Sequence, residues 1–591
     1  METLPSGLSV PAGTQQSATE QPPELRWALT YVTAQELVGE TVSEAQIVNA
    51  LGSLSAQDCV GMIGALSARL HAAPRSTDFD LQRELVASIA EGTDLASMVE
   101  RALVNTEHPR VAIFEQQLVH LARLAILHAD LRPADGFSNG GRDQFLIALF
   151  GVTDLLDADL RIEDEGERLS WAVRQGGLNH GAESLTLWSL YYDVLVRLWS
   201  GVPAALSFEV EEAFRRYTGT TLRDHFTFAF GGLGRFAGFA NDPATGLMIE
   251  PRHWFSSTKI EEAEWRPYFD RVSRSIEDLR EAVIAEEARY GPTTYGCQVF
   301  DETPLLDLGD DRYVPINMSA FERSATEGIF FTLADGAQSE GRPRETFTSP
   351  FGGVFEESVA RTFERLTPSG GAGQRVHRDF LYGPKRQRVR SSDIILDYGS
   401  ELVFVEAVAG QLRVATRTRG DLRSLRQDLR KLVHEKAGQL DRCIGDLRIG
   451  RLEIPDFAGE REAMVWPVIV TSVSIPYTPP VAEAISAQLR RDALLHGRAI
   501  GPLSLISAEE LAAAEGLIEK GASFLELIRG WHNQPGADLN SFKNYLIGTA
   551  SGVGAAPPGS YQVAVFQEAA DEIYGRLFDR PPPAPFDSST S

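Results

Sequence analysis

From about position 30 to 235 the apolar residues recur at intervals of three and four. The runs Ile113-Phe114 through Leu127 and Leu185 through Trp199 carry this spacing, which lays an apolar stripe along one face of a helix. Residues 26–240 are therefore read as a helical domain. From Cys297 the rhythm shortens. Val299-Phe300, Pro304-Leu305-Leu306 and Tyr313-Val314-Pro315-Ile316 suggest short strands, and Ser319–Thr332 a helix, so 241–345 reads as an α+β connector.

A denser pattern follows in 346–480. A helix is expected from Phe351 to Leu366, then strands at Arg375–Tyr382, Ser392–Tyr398 and Glu401–Ala409. A long helix from Asp421 to Ile444 and the apolar run Val465–Ile475 complete the order α-β-β-β-α-β. Residues 481–579 read as an extension of this α/β core. Pro502–Ile506 would add a strand, and Ser507 with Glu510 three residues on forms a capping-box signal for the helix after it. Phe542–Ile547 and Tyr561–Phe578 look like packing elements. The ends are expected to be disordered: 1–25 is rich in Ser, Thr, Gln, Pro and Gly, and 580–591 in Pro and Ser. The fold class is thus multidomain: a mainly helical N-terminal half, then an α/β core with C-terminal strand and helices.

Composition narrows the function. The formal charge of −26 argues against a protein that coats nucleic acid with its whole surface. Yet Gln374–Arg451 holds 17 Lys and Arg against 10 Asp and Glu, a net +7 that leaves −33 on the rest. This stretch is either a solvated Arg-rich surface or a local phosphate-binding one. Met1–Gln16 lacks the regions of a signal peptide, and no apolar run reaches the ~18 residues of a membrane span. A cytoplasmic protein without membrane contact is expected. Cys59, Cys297 and Cys443 lie far apart and suggest neither a zinc site nor a disulfide. His120 and His128 are two helical turns apart, too far for a compact metal pair. Gly231-Gly232-Leu233-Gly234 follows a probable helix rather than a strand, so the glycines are assigned to helix packing or a turn. His532 has no evident chemical partner.

The residues that point to chemistry are Phe355-Glu356, Ser392-Asp393-Ile394-Ile395-Leu396 and Val403-Phe404-Val405-Glu406-Ala407-Val408. In that order, on those elements, they resemble the PD-(D/E)XK nuclease superfamily over about 130 residues. The resemblance implies metal-dependent phosphodiester hydrolysis, with DNA the expected substrate. Asp393 and Glu406 would be the carboxylates for Mg2+ or Mn2+, and Glu356 an auxiliary metal acid from the first helix. Hard oxygen donors suit these cations, which polarise a phosphate and activate water. The plainer readings are a strand-end salt bridge for Glu406, a turn cap for Asp393 and dipole complementation for Glu356.

One position departs from the pattern. The family carries lysine two residues after the second carboxylate, where this chain has Val408. The second helix offers a substitute. Counting from Leu422 at about 100° per residue, Leu425, Leu429, Val433 and Leu440 form one stripe. Lys436 falls within it at about 320°, and Gln439 borders it at about 260°. Lys431 falls on the opposite face. Arginine cannot replace the lysine as a base because it stays protonated. The expected catalytic set is therefore Glu356, Asp393, Glu406, Lys436 and Gln439. Lys385, Arg386, Arg388, Arg390, Arg413, Arg417 and Arg419 are expected to contact the nucleic-acid backbone. The helical domain would bind a protein partner or regulate, and a bacterial defence or genome-maintenance role fits by fold-level analogy. The competing reading is an inactive nuclease fold kept for binding nucleic acid or protein.

Overall fold

The computed structural model describes residues 2–3, 9–10, 30–73, 78–93, 95–104, 110–158, 164, 166–170, 172–173, 184–242, 246–291, 296–367, 374–476, 478–534, 541–549 and 559–578. The expected disordered tail, 580–591, lies outside the described residues. Within 1–25 only Glu2–Thr3 and Ser9–Val10 are described, as an antiparallel pair.

The N-terminal half is helical. Ala56–Ala72, Glu115–His128 and Asn139–Ala158 bury their stripes in one apolar cluster around Ile63, Leu121 and Phe150. A second, aromatic cluster gathers Trp188, Phe226, Phe228, Phe236 and Trp265. The glycine-rich run lies inside one helix, Leu222–Asn241. A side chain at Gly231 would strike Trp254, and one at Gly232 would stand 2.7 Å from the Phe321 ring. These glycines serve close packing.

The connector joins the same clusters through Phe300, Leu306, Val314 and Phe321. Leu305–Asp307 and Tyr313–Pro315 pair antiparallel, and Ser273–Arg274 adds a parallel third strand. Val299-Phe300, expected as strand, is instead in the short helix Gln298–Glu302. The Glu286 carboxylate accepts the Gln298 and Val299 amides at 3.0 Å each, satisfying the first turn of that helix. The expected helix Ser319–Thr332 is divided into Met318–Ala325 and Glu327–Ser339 at Thr326.

The α/β core begins with α1, Glu345–Leu366, one turn and more ahead of its expected start and with Pro350 inside it. Strand β1 is Arg375–Arg378, and a small hairpin of β2 (Leu381–Tyr382) and β3 (Val389–Arg390) follows. Strands β4 (Ile394–Asp397) and β5 (Glu401–Val408) come next, then the short helix α2 (Val414–Arg419). The long second helix is two helices, α3 (Leu422–Leu429) and α4 (Glu435–Arg448), joined by a π turn over Arg430–His434. Strand β6 (Met464–Thr471), helix α5 (Pro479–Arg491) and strand β7 (Ser504–Ser507) complete the sheet. Helices α6 (Ala508–Ile518), α7 (Phe524–His532), α8 (Phe542–Thr549) and α9 (Ser560–Leu577) end the described chain. The capping box at Ser507 and Glu510 starts α6.

The strand order is β7-β6-β5-β4-β1. The three strands β5, β6 and β7 run parallel, while β4 is antiparallel to both β5 and β1. Alternation gives the sheet two apolar faces. Val403, Val405 and Ala407 pack with α1, α6 and α7, whereas Leu402, Phe404 and Val408 pack with α3 and α4. The mixed sheet is thus held between two helical layers.

Candidate functional site

The register of β4 on β5 sets Ile394 opposite Val405, which carries Asp393 opposite Glu406. Both are buried, at 7% and 2% exposure. The Ala407 amide donates to Asp393 Oδ2 at 2.9 Å. Glu406 takes its place between Phe404 and Val408 on the face that meets α3 and α4, where a carboxylate is costly unless something satisfies it.

That partner is Lys436. Its Nζ donates to Glu406 Oε2 at 2.9 Å and to Gln439 Oε1 at 3.1 Å. Lys436 and Gln439 lie three apart on α4, so both reach the same spot over the sheet. The π turn precedes Lys436 by two residues. Its wider winding makes room for both Leu432 and Val433 against the sheet before α4 resumes with Lys436 at the margin of the apolar face. Lys431 is exposed, and Val408 belongs to the apolar cluster under the helices.

Glu356 is the third acid. It is half-buried on α1 and pairs with the Arg390 guanidinium. Arg390 also donates through Nε to Asp379 at 2.7 Å. The neighbouring Glu357 points away to Arg361 and Arg378.

Among the described residues the cluster is unbalanced in charge: the carboxylates of Glu356, Asp379, Asp393 and Glu406 are set against the cations Lys436 and Arg390. Burial first, and the Asp393 carboxylate second, push Glu406 up to about 7. Burial likewise raises Asp393 and Glu356. Burial works against the Lys436 charge, but Glu406 and Asp393 outweigh it and hold the ammonium above its ordinary range. Lys436 therefore stands as a cation at neutral pH, suited to orient water or a phosphate oxygen.

The donor set fits a hard divalent cation, being all carboxylate oxygen, anionic and short of positive charge. Asp393 and Glu406 are the residues that would hold it. Among the described residues, however, no group of three or more His, Cys, Asp or Glu is gathered closely enough to bind a metal ion. The arrangement accounts for this, because Glu356 is engaged by Arg390.

The basic residues divide into two sets. Lys385, Arg386 and Arg388 are exposed in the β2–β3 hairpin loop. Arg390 at its base is committed to Glu356 and Asp379. Arg413, Arg417 and Arg419 all have partners within the chain. Arg413 pairs with Asp428 at 3.3 Å and with Gln427. Arg417 lies over the Phe331 ring and within 3.9 and 4.0 Å of Asp301 and Glu327. Arg419 covers the Tyr290 ring and donates to the Gly291 carbonyl. Gly420, at φ +58°, ends α2 where any side chain would collide with the Ser170 backbone. Helix α2 is thus seated against the helical half, and of the two sets the hairpin residues Lys385, Arg386 and Arg388 are the ones left exposed. Asp379 was not singled out in the sequence, where it is one acid at the end of a strand and carries no pattern of its own.

The other candidates stay structural. His120 is buried in the helical cluster, and burial, aided by Arg123, lowers it to about 3, so it is neutral. His532 has partners after all: Ser504 Oγ at 2.8 Å and the rings of Trp466 and Trp531. Ser504 is fully buried, which closes that pair to a substrate. The three cysteines are free and buried. No helix among the described residues is long and apolar enough to cross a membrane. Set against family models, curated proteins and solved structures, the chain matches none.

Proposed function

We propose that this protein is a metal-dependent nuclease of the PD-(D/E)XK type acting on DNA, with its motif lysine moved from the strand to the following helix. The observation that carries the reading is the 2.9 Å contact of Lys436 Nζ with Glu406, opposite Asp393. A lysine from a different element supplies charge at the spot Val408 leaves empty of it. The element order and the mixed sheet between helical layers support the same reading. Asp393 and Glu406 would hold Mg2+ or Mn2+, which supplies Lewis acidity and an activated water when bound. Lys436, fixed by Gln439, steadies that water or the developing charge. The hairpin residues Lys385, Arg386 and Arg388 bind the phosphate backbone and carry no sequence information by themselves.

The test is calorimetry with Mg2+ and Mn2+ on the intact protein and on Asp393→Ala and Glu406→Ala. Binding that both substitutions abolish is expected, together with cleavage of a DNA duplex that Lys436→Ala reduces by about 10²–10⁴-fold, the range of a positioned proton-handling group. Absence of metal binding, with duplex present as well, overturns the reading.

A second reading has one observation in its favour. The Lys436–Glu406 pair satisfies both partners without any ion, as an inactive nuclease fold retained for binding nucleic acid would need. In that case Asp393→Ala binds duplex as well as the intact protein does, with or without divalent cation.

A further inference from the structure

Arg390 occupies an unusual position. It is half exposed, with its side chain 52% accessible, yet its guanidinium is shared between Glu356 on α1 and Asp379 beside β1. It is also the last residue of β3, so it anchors the hairpin whose loop presents Lys385, Arg386 and Arg388. One side chain therefore ties the exposed basic hairpin to the third acid of the buried cluster. While the pair persists, Glu356 cannot serve a cation, and Asp393 and Glu406 are left as a two-carboxylate set.

We propose that Arg390 is a positioning residue that couples metal loading to arrival of a nucleic-acid strand. This rests on the metal-nuclease reading above. In the free protein Arg390 holds Glu356. When a strand docks on the hairpin, a phosphate oxygen competes for the same guanidinium. Phosphate suits it well, because the planar fork of Arg makes paired hydrogen bonds to phosphate as readily as to carboxylate. Arg390 then transfers to the phosphate, remaining tethered by Asp379, and Glu356 is released to complete the oxygen set around the cation. Partial exposure makes the exchange feasible: Arg390 moves from one partner to another without being stranded unpaired in the core. The device delays full metal loading until substrate is present.

Linkage makes the idea measurable, since nucleic acid that tightens metal binding must be tightened by metal equally. Mn2+ affinity is read by electron paramagnetic resonance on the full chain, with and without a 20-base-pair DNA duplex, for the intact protein, Arg390→Ala and Arg378→Ala. Arg378 is a charge control: it pairs with Glu357 and Glu364 and does not touch Glu356. Duplex is expected to tighten Mn2+ binding to the intact protein by about tenfold, within the ordinary range of coupling between sites. Arg390→Ala without duplex is expected to match the duplex-bound intact protein, and to gain nothing further from duplex. Arg378→Ala should keep the coupling. Without duplex, equal Mn2+ affinity in the intact protein and Arg390→Ala, or a gain in Arg378→Ala as large as that in Arg390→Ala, overturns the Arg390 role alone. No Mn2+ binding in any of the proteins overturns the metal-nuclease reading, and this inference with it.

Discussion

At the scale of single residues, the site is governed by a mismatch between carboxylates and cations. Glu406 is pushed up to about 7 when folded, from an ordinary 4.5, because it is buried beside Asp393. Between those two pH values the folded chain binds a proton that the unfolded chain has lost. Stability must then fall as pH rises through that window and level off above it. The raised Asp393 and Glu356 act with the same sign. Buried His120 and His225, both lowered, contribute with the opposite sign, so the Glu406 share is read as a difference: without metal, the thermal stability of the intact protein minus that of Glu406→Gln is expected to fall from pH 4.5 to 8. Because a cation competes with the same protons, the rise in melting temperature given by Mn2+ should grow from pH 5.5 to 8. Lys436→Met should remove the cation that pairs with Glu406. The expected loss is below the ~3–5 kcal/mol of a broken buried pair, because Glu406 can protonate in response. That relief predicts a larger stability loss at pH 8 than at pH 5.5, measurable by urea denaturation.

Elements show which parts of this arrangement the chain declares openly. The alternation Leu402, Phe404, Glu406, Val408 assigns Glu406 to one face of β5 without any tertiary knowledge, and Ser507 with Glu510 marks the start of α6 by local hydrogen bonding. Lys436 was legible as a lysine among leucines. The π turn before it was not, because a count of about 100° per residue assumes unbroken α-helix. Val299-Phe300 misled for another reason: an apolar pair fits a strand or a buried helix equally, and the deciding Glu286 carboxylate lies twelve residues before Gln298 and thirteen before Val299. The partners of Arg417 and Arg419 were invisible for a third, since Asp301, Glu327 and Tyr290 reach them only through the docking of α2. Packing makes its own prediction on the helix Leu222–Asn241. Gly232→Ala places a carbon against the Phe321 ring and should cost about 1–2 kcal/mol, overpacking outweighing the gain in helix propensity. Gly234→Ala, which meets open space, should stabilise by up to about 1 kcal/mol. Urea midpoints of the two variants check both signs.

For the whole molecule, a chain of net charge −26 presents the exposed cations Lys385, Arg386 and Arg388 together on one hairpin loop. That loop is where a phosphate backbone is expected to dock. Replacing Lys385, Arg386 and Arg388 by alanine should weaken binding uniformly across sequences. It should also lower the slope of log K against log salt by about 0.9 for each phosphate contact removed. A fluorescence-anisotropy titration at several salt concentrations measures this directly. The chain also closes on itself. Helix α9 buries Val565, Ala569 and Ile573 among the aromatic residues of the helical half, and Tyr561 reaches Asp193 at 3.0 Å. Ser189 Oγ donates to the Gln562 carbonyl across 373 positions. This closure carries a consequence for biosynthesis. A ribosome adding ~5–20 residues per second needs roughly 20–75 s to travel from one partner to the other. For most of that interval the aromatic cluster around Trp188 and Phe226 lacks the cover of α9, so the nascent chain offers a sticky aromatic surface to chaperones and to neighbouring copies until α9 arrives.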